Sequence, residues 1–202
     1  MFIKCLVIFA LSYSLMAHPV IWSGGRVLTL MSSDQMNEFK AHYSVHHRLS
    51  LGVHAISFDS SSMIMAQTNA LLGRWNAEGA QTNLYLFSGL GVAQSGSSEG
   101  VGAHFGFQAD WETRRWYLQA SVDGYFQDNP IHMMRSRVGF APYLGAYNDV
   151  HTWLMLQTTV MNASGQSSFS YLPLVRFFKN NVLIELGSNF SSRYLITAMV
   201  HF

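Results

Sequence analysis

The chain has 202 residues, a formal net charge of +1 at pH 7, and 11% charged residues against 49% hydrophobic ones. Soluble domains usually carry about 25% charged residues, so this composition argues against an ordinary polar surface. There is no basic tail and no acidic run, which excludes the charge pattern of a nucleic-acid-binding protein.

The N-terminus has the pattern of a secretory signal peptide. The stretch "MFIKCLVIFALSYSLMA" carries one cation, Lys4, then an apolar run, and ends on the small residue Ala17. This predicts cleavage after Ala17 and a single mature domain over 18–202. Cys5 is the only cysteine and leaves with the signal. An exported chain without disulfides fits a bacterial envelope better than a eukaryotic secreted module.

From residue 20 onward, apolar and polar residues alternate with the period of a β-strand. The turn residues between the alternating stretches predict twelve strands, and an even count from eight to twelve stays open because Gly24 and Gly25 interrupt the first. An even count places both termini on the periplasmic side, with short turns there and longer loops outside. The predicted strands lie at 20–31, 36–45, 48–58, 62–75, 81–93, 101–112, 115–126, 133–143, 150–160, 168–178, 181–189 and 193–202.

Strand four contains a conflict between its two halves. Gln67 and Asn69 fall on the lipid-facing side if Arg74 points inward. One extra residue in the strand would reverse the alternation between them, so a β-bulge is expected here.

These strands predict an all-β fold, an antiparallel up-and-down transmembrane β-barrel in contact with outer-membrane lipid. A closed barrel pairs every backbone group inside the membrane, and strands of about 9–11 residues cross it. Aromatic residues near strand ends, such as Trp75, Trp116 and Phe126, suit the headgroup region. A soluble periplasmic β-sandwich that binds a ligand also explains the alternation and stays open as an alternative.

The final stretch, "SSRYLITAMVHF", alternates cleanly and ends on an aromatic residue. It resembles the C-terminal recognition signal of bacterial outer-membrane proteins, which implies the barrel assembly machinery as a partner. We expect this strand to close the barrel by pairing with the first strand near Arg26–Met31. The residues that carry the resemblance are Tyr194, Ile196, Ala198, Val200 and Phe202.

A broader resemblance rests on "LLGRWNAEGAQTNLYLFSGLG", "DWETRRWY", "RVGFAPYLGAYNDVHTWLMLQ" and "LPLVRFFKNNVLIELG". These segments resemble a family of small exported proteobacterial proteins, outer-membrane β-barrel-like and with no assigned function. The resemblance implies a shared barrel. It implies no activity and no site residues.

Charged residues concentrate on the inward-facing side of the predicted strands and predict a salt-bridged lumen. Arg135 and Arg137 are expected nearer the outside. The members expected near the periplasmic end are Arg74, Asp110, Glu112, Arg176 and Glu185. The predicted network consists of Arg74, Asp110, Glu112, Arg176 and Glu185, with Asp123, Arg135 and Arg137.

Two functions follow from this lumen and from the histidines and methionines. No nucleophile elbow, metalloprotease motif or phosphate loop occurs in the chain, so we expect a structural or narrow-solute channel role without catalysis or cofactor. The alternative is an envelope copper-handling protein. In that alternative His18, as the mature N-terminus, chelates Cu(II), and Met63, Met65 and His132 supply further ligands.

Overall fold

The computed structural model describes residues 18–146, 148–190 and 192–202. The predicted signal peptide, 1–17, lies outside the described residues. Twelve strands are present, as the turn residues predicted, and the first begins only at Arg26. They are β1 (Arg26–Ser33), β2 (Met36–His46), β3 (Leu49–Phe58), β4 (Ser61–Ala77), β5 (Ala80–Ser95), β6 (Ser98–Thr113), β7 (Trp116–Phe126), β8 (Ile131–Phe140), β9 (His151–Ala163), β10 (Gln166–Lys179), β11 (Val182–Ser188) and β12 (Tyr194–His201).

The strands form one closed antiparallel barrel in which each strand pairs with its neighbours in sequence and β12 pairs with β1. The closing register runs from Val27 opposite His201 to Ser33 opposite Leu195. Arg26 and Phe202 exchange backbone hydrogen bonds of 3.0 and 2.9 Å. The predicted closure by the last strand is therefore confirmed, and it pairs the first strand with the last, as a sheet inside a membrane requires.

The barrel wall is apolar outside and polar inside, and β7 shows why. Leu118 and Val122 point outward and are exposed, whereas Tyr117, Ser121 and Asp123 point into the lumen and are buried. Successive side chains of a strand point to opposite faces, so the alternation in the sequence becomes two chemically distinct surfaces. Among the described residues, no helix is long and apolar enough to span a membrane.

A β-bulge in β4 resolves the conflict between its two halves. The register with β5 shifts between Leu71 and Gly73, which leaves Leu72 as the extra residue. Gln67 and Asn69 are buried in the lumen, and Arg74 still lies opposite the inward-facing Asn83. The expected bulge is confirmed.

The two ends of the barrel have connections of different length. We call the end that holds both chain termini the termini end, and the opposite end the far end. The far-end connections are short, the longest being 127–130 and 189–193, whereas the longest connection of all, 141–150, lies at the termini end. The prediction of short turns at the termini end and longer loops opposite was wrong. β8 ends at Phe140 and not at residue 143, so the stretch "APYLGAYNDV" forms a ten-residue connection at the termini end.

Candidate functional site: the barrel lumen

The lumen contains a central cavity of about 140 Å³ that is lined mainly by polar and charged side chains. Apolar lining residues such as Phe87 and Leu183 are fewer. Both signs of charge reach the cavity. Its charged lining residues are Lys40, Arg135, Arg137, Arg176, Glu38, Asp123 and Glu185.

At the level of the cavity, one carboxylate is shared by two guanidinium groups. Glu185 Oε1 lies 2.7 Å from Arg176 Nη2 and 3.2 Å from Arg137 Nη1. Arg176 also stacks over the Tyr117 ring, 4.6 Å from its centre, and Arg137 Nε donates to Gln157 Oε1 at 2.8 Å. Two cations against one anion leave this part of the lumen with an excess positive charge.

Towards the far end, Asp123 is the centre of a second group. Its carboxylate lies 3.2 Å from Arg135 Nη2 and 3.1 Å from His104 Nε2, and it accepts a weak hydrogen bond from Ser121 Oγ at 3.5 Å. A serine nucleophile needs a hydrogen bond to its base. Here the hydroxyl donates to the carboxylate instead of the imidazole, so the three residues are not arranged for nucleophilic catalysis.

Glu38 forms a third group beside the second. Its Oε1 lies 2.7 Å from Lys40 Nζ and 2.8 Å from His54 Nε2. The rings of His54 and His104 are centred 5.4 Å apart, so the two groups contact each other through their histidines.

At the termini end, the polar groups form a chain of hydrogen bonds that is poorer in cations. Arg74 Nε donates to Asn83 Oδ1 at 2.7 Å, and Asn83 Nδ2 donates to Asp110 Oδ1 at 2.7 Å. Glu112 is 4% exposed, yet neither of its carboxylate oxygens has a hydrogen-bond partner. The nearest basic atom is His18 Nε2 at 3.9 Å.

The residues before β1, 18–25, which we call the N-terminal segment, lie at the termini end, with Val20 and Ile21 buried inside the barrel and 22–24 exposed. Val20 is buried against Leu71, Tyr85 and Phe87. Backbone groups of the segment bond to inward-facing serines of the wall, as in the 3.3 Å bond from Ser50 Oγ to the Pro19 carbonyl. The segment therefore narrows the lumen below the cavity.

His18 anchors the start of this segment as a neutral side chain. Its Nδ1 lies 3.1 Å from the Tyr85 hydroxyl. Burial, with the charge of Arg74 as a second cause, lowers the pKa of the imidazole to about 3. The contact with Glu112 is consequently not an ion pair at neutral pH, although the two atoms are close.

At the far end, apolar side chains occupy the lumen above the charged groups. Met63, Met65, Met133 and Tyr125 are almost completely buried there, and Met31, Met36, Ile56, Phe58 and Ile131 belong to the same cluster. The cavity thus lies between an apolar layer on one side and the N-terminal segment on the other.

The structure distributes the eight predicted network residues over these levels. Arg176, Glu185 and Arg137 meet at the cavity, so Arg137 does not lie nearer the far end as expected. Asp123 and Arg135 lie further towards that end, and Arg74, Asp110 and Glu112 lie at the termini end. Glu38, Lys40, His54 and His104 were not among the predicted members of the network, although their positions in the alternation of the sequence indicated them.

The four residues of the copper alternative do not come together. Met63 and Met65 are buried in the far half of the lumen, His132 is exposed on the outer surface, and His18 lies at the termini end. Among the described residues, no group of three or more His, Cys, Asp and Glu side chains could hold a metal ion.

No family model matches the chain, and no curated protein matches it. Solved structures of outer-membrane barrels do match its fold. The structure titled "KdgM porin in complex with disordered oligogalacturonate" superposes with a TM-score of 0.51 at 10% identity, over 88% of this chain and 99% of that chain. OccK8 (OprE) of Pseudomonas aeruginosa follows with a TM-score of 0.43 at 8% identity, over 83% of this chain and 57% of that one. The chain has the fold of an outer-membrane porin barrel.

Proposed function

We propose that this protein resides in the outer membrane of a Gram-negative bacterium and forms a narrow, closable passage for small anionic solutes, without covalent chemistry. The termini end then faces the periplasm and the far end the cell exterior. The observation that carries the proposal is the enclosed central cavity with its surplus of positive charge beside Arg137 and Arg176.

The charges around the cavity favour anions over cations. Each other cation of the cavity wall has its own carboxylate, Lys40 with Glu38 and Arg135 with Asp123, whereas Arg137 shares its carboxylate with Arg176. Rings of Arg and Lys select anions in pores. A planar guanidinium that is only partly satisfied can donate two parallel hydrogen bonds to a carboxylate.

The small cavity limits the solute. A closed barrel narrowed by the N-terminal segment and by buried methionines admits a solute of a few heavy atoms or one extended chain. The KdgM porin was solved with oligogalacturonate, a chain of acidic sugars. This makes sugar acids the first solutes to test on this protein.

Conductance in planar lipid bilayers tests the passage and its closure. We expect rare, small conductance steps for the purified protein. Val20→Asp places a charge in the apolar contact with Leu71 and Phe87 and should raise the open probability severalfold. Trp22→Ala changes an exposed residue of the same segment and should have no such effect.

Ion selectivity tests the role of the cavity charge. Arg137→Gln cancels the local excess charge, so we expect the anion-to-cation permeability ratio to fall. Arg115→Gln, in the exposed turn between β6 and β7, is the matched control. A purified protein that stays soluble without detergent, or a permeability ratio that does not respond to Arg137→Gln, would refute the proposal.

A further inference from the structure

Two buried histidines in the far half of the lumen take no part in the proposed passage. His54 on β3 and His104 on β6 are 0% and 3% exposed. Their rings are centred 5.4 Å apart, with an interplanar angle of 78°. Neither ring lines the central cavity.

The hydrogen bonds of these histidines assign their protons. Each Nε2 lies at a carboxylate oxygen, His54 at 2.8 Å from Glu38 and His104 at 3.1 Å from Asp123. A carboxylate only accepts, so Nε2 carries the hydrogen and the neutral ring keeps a lone pair on Nδ1. In metal sites, a ligating histidine commonly donates its other ring N–H to a carboxylate, which fixes the orientation of the ring in the same way.

The two Nδ1 atoms are the unusual feature. Both are buried and have no hydrogen-bond partner. His42, His151 and His201 also have a buried ring nitrogen without a partner, but His54 and His104 are in ring contact with each other. Because buried polar atoms in native proteins are nearly always paired, one ligand shared by these two rings would satisfy both nitrogens. A metal ion bound at about 2.0 Å from each nitrogen would lie about 3.2 Å from each ring centre. Because the ring centres are 5.4 Å apart, the angle between them at the ion would be about 115°, which suits trigonal or tetrahedral coordination.

Met65 supplies a third donor beside the two rings. It is 1% exposed and pairs with His54 across β3 and β4. Gly89 on β5 lies between Met65 on β4 and His104 on β6. A Cβ at Gly89 would lie 3.5 Å from the Met65 Cβ and 3.6 Å from the His104 Cβ. No side chain therefore separates the thioether of Met65 from the ring of His104 at this position.

The donor set selects a soft ion. Among the described residues, no third His, Cys, Asp or Glu joins the pair to make a metal-holding group, because Glu38 and Asp123 are occupied at the Nε2 side. Imidazole together with thioether suits Cu(I), whereas Mg²⁺, Ca²⁺ and Mn²⁺ prefer oxygen. Methionine alone is an ordinary filler of irregular cores, so the paired free nitrogens carry the inference.

We propose that His54 Nδ1, His104 Nδ1 and the Met65 thioether form a binding site for monovalent copper in the far half of the barrel. The other methionines of the far-end cluster, including Met36, Met63 and Met133, lie between this site and the far mouth. They offer further thioethers along the route by which the ion enters.

Titration of the purified full chain in detergent with Cu(I), held reduced by ascorbate and competed by a chromophoric chelator, tests the site. We expect one ion per chain. His54→Ala and His104→Ala should each weaken binding at least tenfold. Met65→Leu removes the thioether but keeps a side chain of similar volume, and it should also weaken binding. His132→Ala with Met134→Leu removes an exposed histidine and an exposed methionine from the outer wall and should leave binding unchanged.

Folding and coordination are checked separately. Heat-modifiable gel migration shows whether each variant still forms the barrel. X-ray absorption of the unaltered Cu(I)-loaded protein needs no variant and should show a shell of two nitrogens and at least one sulfur. A shell without sulfur, a protein that binds no Cu(I), or binding that depends on His18 and not on His54 and His104 would overturn the proposal.

Discussion

Glu185 and Glu112 are both buried in the lumen, but their surroundings differ. Glu185 has two guanidinium groups within 3.2 Å, whereas both oxygens of Glu112 lack a hydrogen-bond partner. A buried charge is costly unless opposite charges and hydrogen bonds compensate for it. The two glutamates should therefore contribute differently to stability.

Replacing each glutamate by glutamine measures that difference. Glu185→Gln leaves Arg137 and Arg176 facing a neutral amide, and we expect a loss of about 3–5 kcal/mol in the free energy of unfolding. Glu112→Gln exchanges a buried carboxyl group without a hydrogen-bond partner for an amide of the same shape, and it should not lower this free energy. Urea unfolding of the protein in lipid vesicles gives both values. Equal losses for the two variants would show that Glu112 has a partner we have not identified.

At the scale of the strand, β12 combines two roles that can be separated. Its backbone closes the barrel against β1, and the Phe202 ring, 59% exposed, points away from the lumen. The ring thus adds little to the folded barrel. It is the part of the strand that we propose the assembly machinery recognises.

Phe202→Ala tests recognition without removing a backbone hydrogen bond. We expect the amount of heat-modifiable protein in the outer membrane of cells to fall severalfold, while refolding of the purified chain in detergent is unchanged. Phe190→Ala removes an even more exposed ring from the 189–193 connection and should leave assembly normal. If both variants assemble normally, the tail is not the signal.

Other elements show how far strand-level reasoning extends. Period-two alternation was sufficient to place the strands and to suggest a bulge in the fourth, because the side chains of a strand must match two different environments, but its position between Leu71 and Gly73 came from the structure. The same reasoning misjudged the 141–150 connection. Tyr143 and Asp149 hold that connection through hydrogen bonds, one between the Tyr143 and Thr152 hydroxyls and one from the Ala146 N–H to Asp149. Alternation in the sequence does not reveal such contacts.

At the scale of the molecule, the N-terminal segment makes closure of the lumen depend on pH. The His18 pKa of about 3 when the segment is docked lies below the value of about 6.5 for a free imidazole. The undocked segment therefore binds a proton that the docked one rejects. The docking free energy is fully present above about pH 6.5 and decreases as the pH falls towards 3.

Bilayer conductance at two pH values checks this dependence. We expect the open probability to be higher at pH 5 than at pH 7.5. His18→Gln keeps a polar group beside the Tyr85 hydroxyl without titrating, so its open probability should change less over that range. The segment is also close to Glu112, and an undiminished pH response in His18→Gln would assign the effect to that carboxyl group.

The sequence by itself determined the class of fold, an even number of strands and the two faces of the wall, because these follow from local alternation and turn chemistry. It also placed Arg74, Asp123, Arg135 and Glu185 on the inward face. Which of them meet was decided only by closure of the barrel. Arg137 and Glu185, for example, are 48 residues apart in the chain and 3.2 Å apart in space.

The tertiary structure alone also decided what fills the lumen. The first six residues of the predicted first strand, 20–25, became part of the N-terminal segment instead, because Gly24 adopts a positive φ of 88° and the chain turns there before Arg26. His54 and His104 come from strands that are not neighbours and meet only across the lumen. Strand shift and tilt set such pairings, and both are properties of the closed sheet.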